Sequence, residues 1–176
     1  MATPPDTRSD VPPWLIEVAS RPGVRSPVPG KILTDLAGRA LFRAGAPSPA
    51  SLTLILADDA ELAALNAEHM GEDGPTDVLS FPLLPPSAFP DHVGKSEDPS
   101  SRPVEPPFAT PADQIPHLGD VIISMERARA QASGPLGDEL RALVVHGVLH
   151  ICGWDHAETA ERDAMRAFER DLLSEP

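Results

Sequence analysis

The sequence is short of most of what a secreted, membrane-spanning or broadly basic protein carries. It has one cysteine, Cys152, in 176 residues. That excludes an internal disulfide framework and fits a reducing compartment, where no disulfide-linked partner is expected. No run of about 18 apolar residues is present, so no membrane span is expected. Met1 to Pro13 holds prolines and acids where a secretory signal needs an apolar stretch, which leaves a soluble cytoplasmic protein as the expectation. Positive charge is scarce too: 14 Lys+Arg stand against 27 Asp+Glu, for a formal charge of -13. Proteins that bind nucleic acid through their bulk field are usually basic, so any such role here has to rest on a local site.

Proline, by contrast, is plentiful at 22 residues. Residues 1–13 read as a disordered Pro-rich tail. Residues 85–116 read as a Pro-rich insertion, with Ser, Asp and Glu between the prolines, unable to pair as a strand or hold a helix. An insertion of this kind is either a tolerated loop or a segment that docks a partner. The remainder, within a single domain at 14–176, is apolar enough for a core, since 41% of the chain is hydrophobic.

Strands are expected at 14–18, 52–56, 77–81 and 118–124. Helices are expected at 32–44, 60–68, near 125–132, from a cap at Asp138 to about Cys152, and at 157–173. Strands come early and the long helices late. That order predicts an α+β fold, a small mixed sheet of about four strands covered by helices.

Three of the six histidines fall in one window, His146-Gly-Val-Leu-His150-Ile-Cys-Gly-Trp-Asp-His156. His146 and His150 are one helical turn apart and project from the same side. Gly153 is placed to end the helix, so that the chain turns back and brings up His156. Three imidazoles suit Zn²⁺ with a fourth, open position for water, which predicts one catalytic zinc per chain. A zinc-bound water, with its pKa brought to about 7, is the expected nucleophile or Lewis-acid partner. The helix is apolar nearly all round, so it is expected to be buried, and buried imidazoles need partners. Cys152 lies on another side of that helix and reads as packing. Metzincin proteases share this metal spacing, but their catalytic glutamate position is occupied by Gly147, which disfavours peptide hydrolysis. Asp155 either orients His156 as an acceptor beside the metal or closes the turn after Gly153.

The window closely resembles the signature of the YbeY family of bacterial endoribonucleases, the rRNA maturation factors. Two further stretches resemble it, in the family's order: Gly74-Pro75-Thr76-Asp77-Val78-Leu79-Ser80-Phe81-Pro82 and Leu118-Gly119-Asp120-Val121-Ile122-Ile123-Ser124. The resemblance implies a zincin-like α+β fold and a zinc-dependent, single-strand-specific endoribonuclease. Such an enzyme acts in 16S rRNA 3′-end maturation and ribosome quality control, with rRNA and the small ribosomal subunit as partners. It also implies that His146, His150 and His156 are the zinc ligands. Before Gly71, family members often carry an arginine thought to serve RNA cleavage; Met70 stands there in this chain. Arg127, Arg129, Arg162, Arg166 and Arg170 are the candidate RNA contacts. Asp77 and Ser80 are candidates for hydrogen bonding near the cleft. The alternatives are a zinc metallohydrolase of another substrate, including an atypical zincin protease, and a ribosome assembly factor whose zinc is mainly structural.

Overall fold

The computed structural model describes residues 13–93, 95 and 115–175. The tail at 1–12 and the stretch at 96–114 therefore lie outside the described residues. In chain order the elements are β1 (Trp14–Ser20), α1 (Gly30–Arg43), β2 (Ala50–Ala57), α2 (Asp59–His69), β3 (Val78–Pro82), a 3-10 turn (Pro86–Ala88), β4 (His117–Ser124), α3 (Met125–Gln131), α4 (Leu136–Ile151) and α5 (Thr159–Ser174). The fold is α+β, as expected. Four strands lie in the order β1-β2-β4-β3. β1, β2 and β4 run parallel, and β3 is antiparallel to β4 on one edge.

Sequence periodicity accounts for the layers. Along β2, Ala50, Leu52, Leu54 and Leu56 alternate onto one face and are buried. In α1, Leu33, Leu36, Ala37, Ala40 and Leu41 form the matching stripe. These residues join Leu140, Val144, Val148 and Ile151 of α4 in the main core. Each fully buried leucine or isoleucine there contributes about 1.5–3 kcal/mol. The other sheet face carries a smaller cluster in which Leu62 of α2 meets Leu79 and Ile122. Asp58 caps α2 by accepting the Glu61 N–H at 2.9 Å.

Two expectations need correcting. α4 starts at Leu136 rather than at a cap on Asp138. Pro135 is its N-cap, and Asp138 sits inside the first turn, where its carboxylate accepts from Arg141 at 2.8 Å. Proline has no N–H to leave unsatisfied at a helix start, so the helix begins as soon as the Ser133-Gly134-Pro135 break is passed. Secondly, the segment from residue 85 is not structureless at its start. Phe89 is 5% exposed and belongs to the main core. Lys95 Nζ donates to the carbonyls of Pro86, Phe89 and Pro90 and to Asp91 Oδ1. One aromatic anchor and one lysine gathering carbonyls fold residues 85–93 and Lys95 into a strap, despite the prolines.

Candidate metal centre and cleft

α4 fits closely against the sheet because of Gly147. A Cβ at this position would overlap Val121 Cγ1 and lie 3.2 Å from Val78 Cγ2. The Ser80 hydroxyl donates to the Gly147 carbonyl at 2.9 Å, pinning α4 to β3. The position where a protease needs its glutamate is thus filled by the sheet itself. Gly153 ends α4 at φ +85°, a conformation glycine adopts at little cost. Its N–H donates to His150 O at 3.0 Å and the Trp154 N–H to Leu149 O at 3.1 Å, a Schellman closure. The chain reverses there and returns His156 toward the helix.

His146, His150 and His156 offer ligand nitrogens that all lie within 4.8 Å of one another. The Nε2 atoms of His146 and His150 are 3.1 Å apart. His146 Nδ1 donates to Glu169 Oε1 of α5 at 2.7 Å, which fixes the tautomer and turns the Nε2 lone pair toward the other two rings. Burial pushes the His150 pKa down to about 4, helped by the adjacent His146 and His156. Its ring is therefore neutral at neutral pH, the state a metal ligand requires. The three imidazoles can hold a metal ion. Cys152 takes no part: it is buried, and burial pushes its thiol up to about 12.

A cleft of about 290 Å³ opens beside the triad, lined by His146, His156, Arg162, Met165, Arg166 and Glu169. A larger groove of about 910 Å³ lies between β1 and α1, walled by Trp14, Leu15 and Phe42. No histidine lines that groove, and its charged residues Arg39 and Arg43 are paired with Glu175, so its size does not make it the reactive centre.

The family model for Endoribonuclease YbeY matches residues 30–176. The chain belongs to the YbeY family of endoribonucleases. Relatives named Endoribonuclease YbeY include one from Dehalococcoides mccartyi strain BAV1, 33% identical over 157 residues, covering 88% of this chain and 91% of the relative. Another, from Desulfitobacterium hafniense strain Y51, is 40% identical over 129 residues, covering 72% and 71%. A third, from Parvibaculum lavamentivorans, is 34% identical over 171 residues, covering 96% and 84%.

Within this YbeY chain the candidate residues divide. Arg162 and Arg166 line the cleft; Arg127, Arg129 and Arg170 are not among its lining residues. The reason is helical phase. Arg162, Met165, Arg166 and Glu169 sit at i, i+3, i+4 and i+7, a sector of about 100°, and Arg170 at i+8 falls about 40° beyond its Arg166 edge. Arg162 Nε is buried with no hydrogen-bond partner among the described residues. Arg127 Nε pairs instead with Asp59 Oδ2 at 3.2 Å. Asp155 Oδ1 accepts the His156 N–H at 2.7 Å, engaging the backbone of the residue that carries the third imidazole. Asp77 accepts from Val78 N–H and Gln131 Nε2, bracing the start of β3 beside a second small recess that reaches His146 and Glu169. Met70 ends α2 and is half exposed, with no group that can bind phosphate.

Sequence reasoning missed Glu169. Its place one turn beyond Met165 puts it on the inward side of α5, but that it meets His146 is set by how the two helices cross.

Proposed function

We propose that this chain is a zinc-dependent endoribonuclease that cuts single-stranded RNA, acting in the cytoplasm on rRNA of the small ribosomal subunit during 16S 3′-end maturation and ribosome quality control. The observation that carries the proposal is the convergence of three imidazole nitrogens, two of whose rings line a cleft that also presents two arginines. Membership of the YbeY family supplies the substrate class.

The donor set fits zinc. Two nitrogens bound to one tetrahedral zinc at about 2.0–2.1 Å lie roughly 3.3 Å apart, close to the 3.1 Å between the His146 and His150 Nε2 atoms. With three protein ligands a fourth position stays open, the pattern of reactive rather than structural zinc. When bound, zinc supplies Lewis acidity toward a phosphoryl oxygen and brings the pKa of a water in the site to about 7. The protein does the rest. Glu169 holds His146 in one tautomer and strengthens it as a ligand. Arg162 and Arg166 offer guanidinium donors to the phosphates of a strand laid in the cleft, one of them already desolvated at Nε. Gly147 leaves no side-chain base on the α4 wall, so proton removal from the attacking group is not assigned to a carboxylate of that helix.

The test is turnover by zinc-loaded protein on single-stranded RNA, duplex RNA and a peptide library, beside His150→Ala. Cleavage of single-stranded RNA that His150→Ala loses by at least a hundredfold is the expected result. Peptide cleavage instead would move the chain to another hydrolase class, and bound zinc without any turnover would make the metal structural.

A further inference from the structure

Glu161 is a buried acid that the chemistry above does not use. It lies in the first turn of α5 and is 3% exposed. A carboxylate so buried needs partners for its oxygens. Oε1 accepts the Asp155 N–H at 2.9 Å, the residue immediately before His156. The same oxygen lies 2.9 Å from His92 Nε2, in the strap formed by residues 85–93 and Lys95. That contact is close but out of line for a hydrogen bond, and both ring nitrogens of His92 are buried without a hydrogen-bond partner among the described residues. The His92 ring also packs edge-on against Trp154, with centroids 3.9 Å apart, and Trp154 packs in turn on Phe168 of α5 at 5.4 Å.

The three histidines differ in what holds them. His146 and His150 stand on a buried helix pinned to the sheet. His156 is exposed and lies beyond the helix end, on a turn, so its position depends on what fixes residues 154–156. Trp154 is fixed between His92 and Phe168, and Asp155 is fixed through its N–H by Glu161. We propose that Glu161 is the positioning residue of the third metal ligand, and that the strap holds Glu161 and Trp154 in place through His92. The start of the Pro-rich segment is then part of the metal centre. The inference rests on the metal-site reading of the preceding subsection.

The experiment measures the zinc dissociation constant of full-length protein by chelator competition, with zinc as the only added ligand, and the urea midpoint of the metal-free form. Glu161→Ala should weaken zinc about 10- to 100-fold, the range for groups that orient metal ligands. Glu161→Gln keeps an acceptor for the Asp155 N–H and should stay within about threefold of wild type. His92→Phe keeps a ring against Trp154 but removes the nitrogen facing Glu161. It should weaken zinc severalfold without a matching loss of metal-free stability, and combining it with Glu161→Ala should add little. Unchanged zinc affinity in both Glu161→Ala and His92→Phe would overturn the proposal. So would losses of metal-free stability with zinc affinity intact. Should Glu161→Ala fail to fold, His92→Phe and Glu161→Gln decide the matter alone. Wild-type protein that takes up no zinc would remove the metal reading and this inference together, whereas wild-type uptake with unaltered variants would remove only the latter.

Discussion

The Gly147 carbonyl accepts the Ser80 hydroxyl while its Cα faces Val121, so this one residue sets how near the histidine helix approaches the sheet. Alanine is the better helix former by up to about 1 kcal/mol. Overpacking typically costs about 1–3 kcal/mol, and here the overlap is with a β-branched side chain on a central strand. Gly147→Ala is therefore expected to destabilise the protein by about 1–2 kcal/mol in urea unfolding. Val121→Ala should couple to it favourably, so that the double variant is less destabilised than the sum of the two; strict additivity would show that the crowding is not at Val121. His150 provides the second residue-level prediction. In the fold its pKa is pushed from 6.5 down to about 4, so between those values the unfolded chain binds one proton more. Its contribution to stability is complete above about pH 6.5 and is lost progressively as pH falls toward 4. Metal-free wild type should lose more stability between pH 7 and pH 4.5 than His150→Leu does. Parallel pH profiles of the urea midpoint would contradict the cause assigned to the shift.

At the level of elements, the strap makes a deletion experiment sensitive to where it begins. Replacing residues 96–114 with a short Gly-Ser linker retains Phe89 and Lys95 and should change stability by less than about 1 kcal/mol, because loop closure depends weakly on length. Starting the replacement at residue 87 removes Phe89 from the core and should cost about 3–5 kcal/mol, the scale of a buried Phe→Ala change. Equal effects would show that Phe89 is not an anchor. The same contrast explains what the sequence made legible. The histidine triad, the Gly153 helix stop and the order of strands and helices rest on spacings of a few residues, which periodicity and backbone chemistry determine. Glu169 is 23 residues from His146, and its contact depends on how α5 crosses α4, which no local spacing encodes. Phe89, His92 and Lys95 were hidden for a different reason: proline composition averages over a stretch, whereas a strap is set by single anchors within it. Likewise the sequence alone does not separate Arg162 and Arg166 from Arg170, which recur every four residues on α5. The cleft selects the face that includes Met165 and Glu169 and leaves Arg170 aside.

For the whole molecule, a charge of -13 sets how RNA is approached. The long-range field repels phosphate, so under the proposed function affinity would come from the two cleft arginines and the metal centre. Each neutralised phosphate contributes about 0.7 to the log–log salt slope for single strands, so two arginines predict a slope of roughly 1 to 2. A slope of about 5 or more, measured between 50 and 200 mM salt, would point to an extended basic track that this chain does not carry among its described residues. The compactness of the metal triad along the chain has a consequence for the order of assembly. All three imidazoles fall within eleven consecutive residues, and two of them are a helical turn apart. A nascent or unfolded chain can gather them at a small loop-closure cost, so an ion bound there would occupy the denatured ensemble as well as the native state. Metal would then raise the melting temperature less than its native affinity suggests. The same ion bridging His146 and His150 would offset the nucleation cost that keeps short helices from forming alone, where the first turn is disfavoured by a factor on the order of 10⁻³. α4 could thus begin to wind around its ligand before β4, the strand it will lie against, has found its place in the sheet.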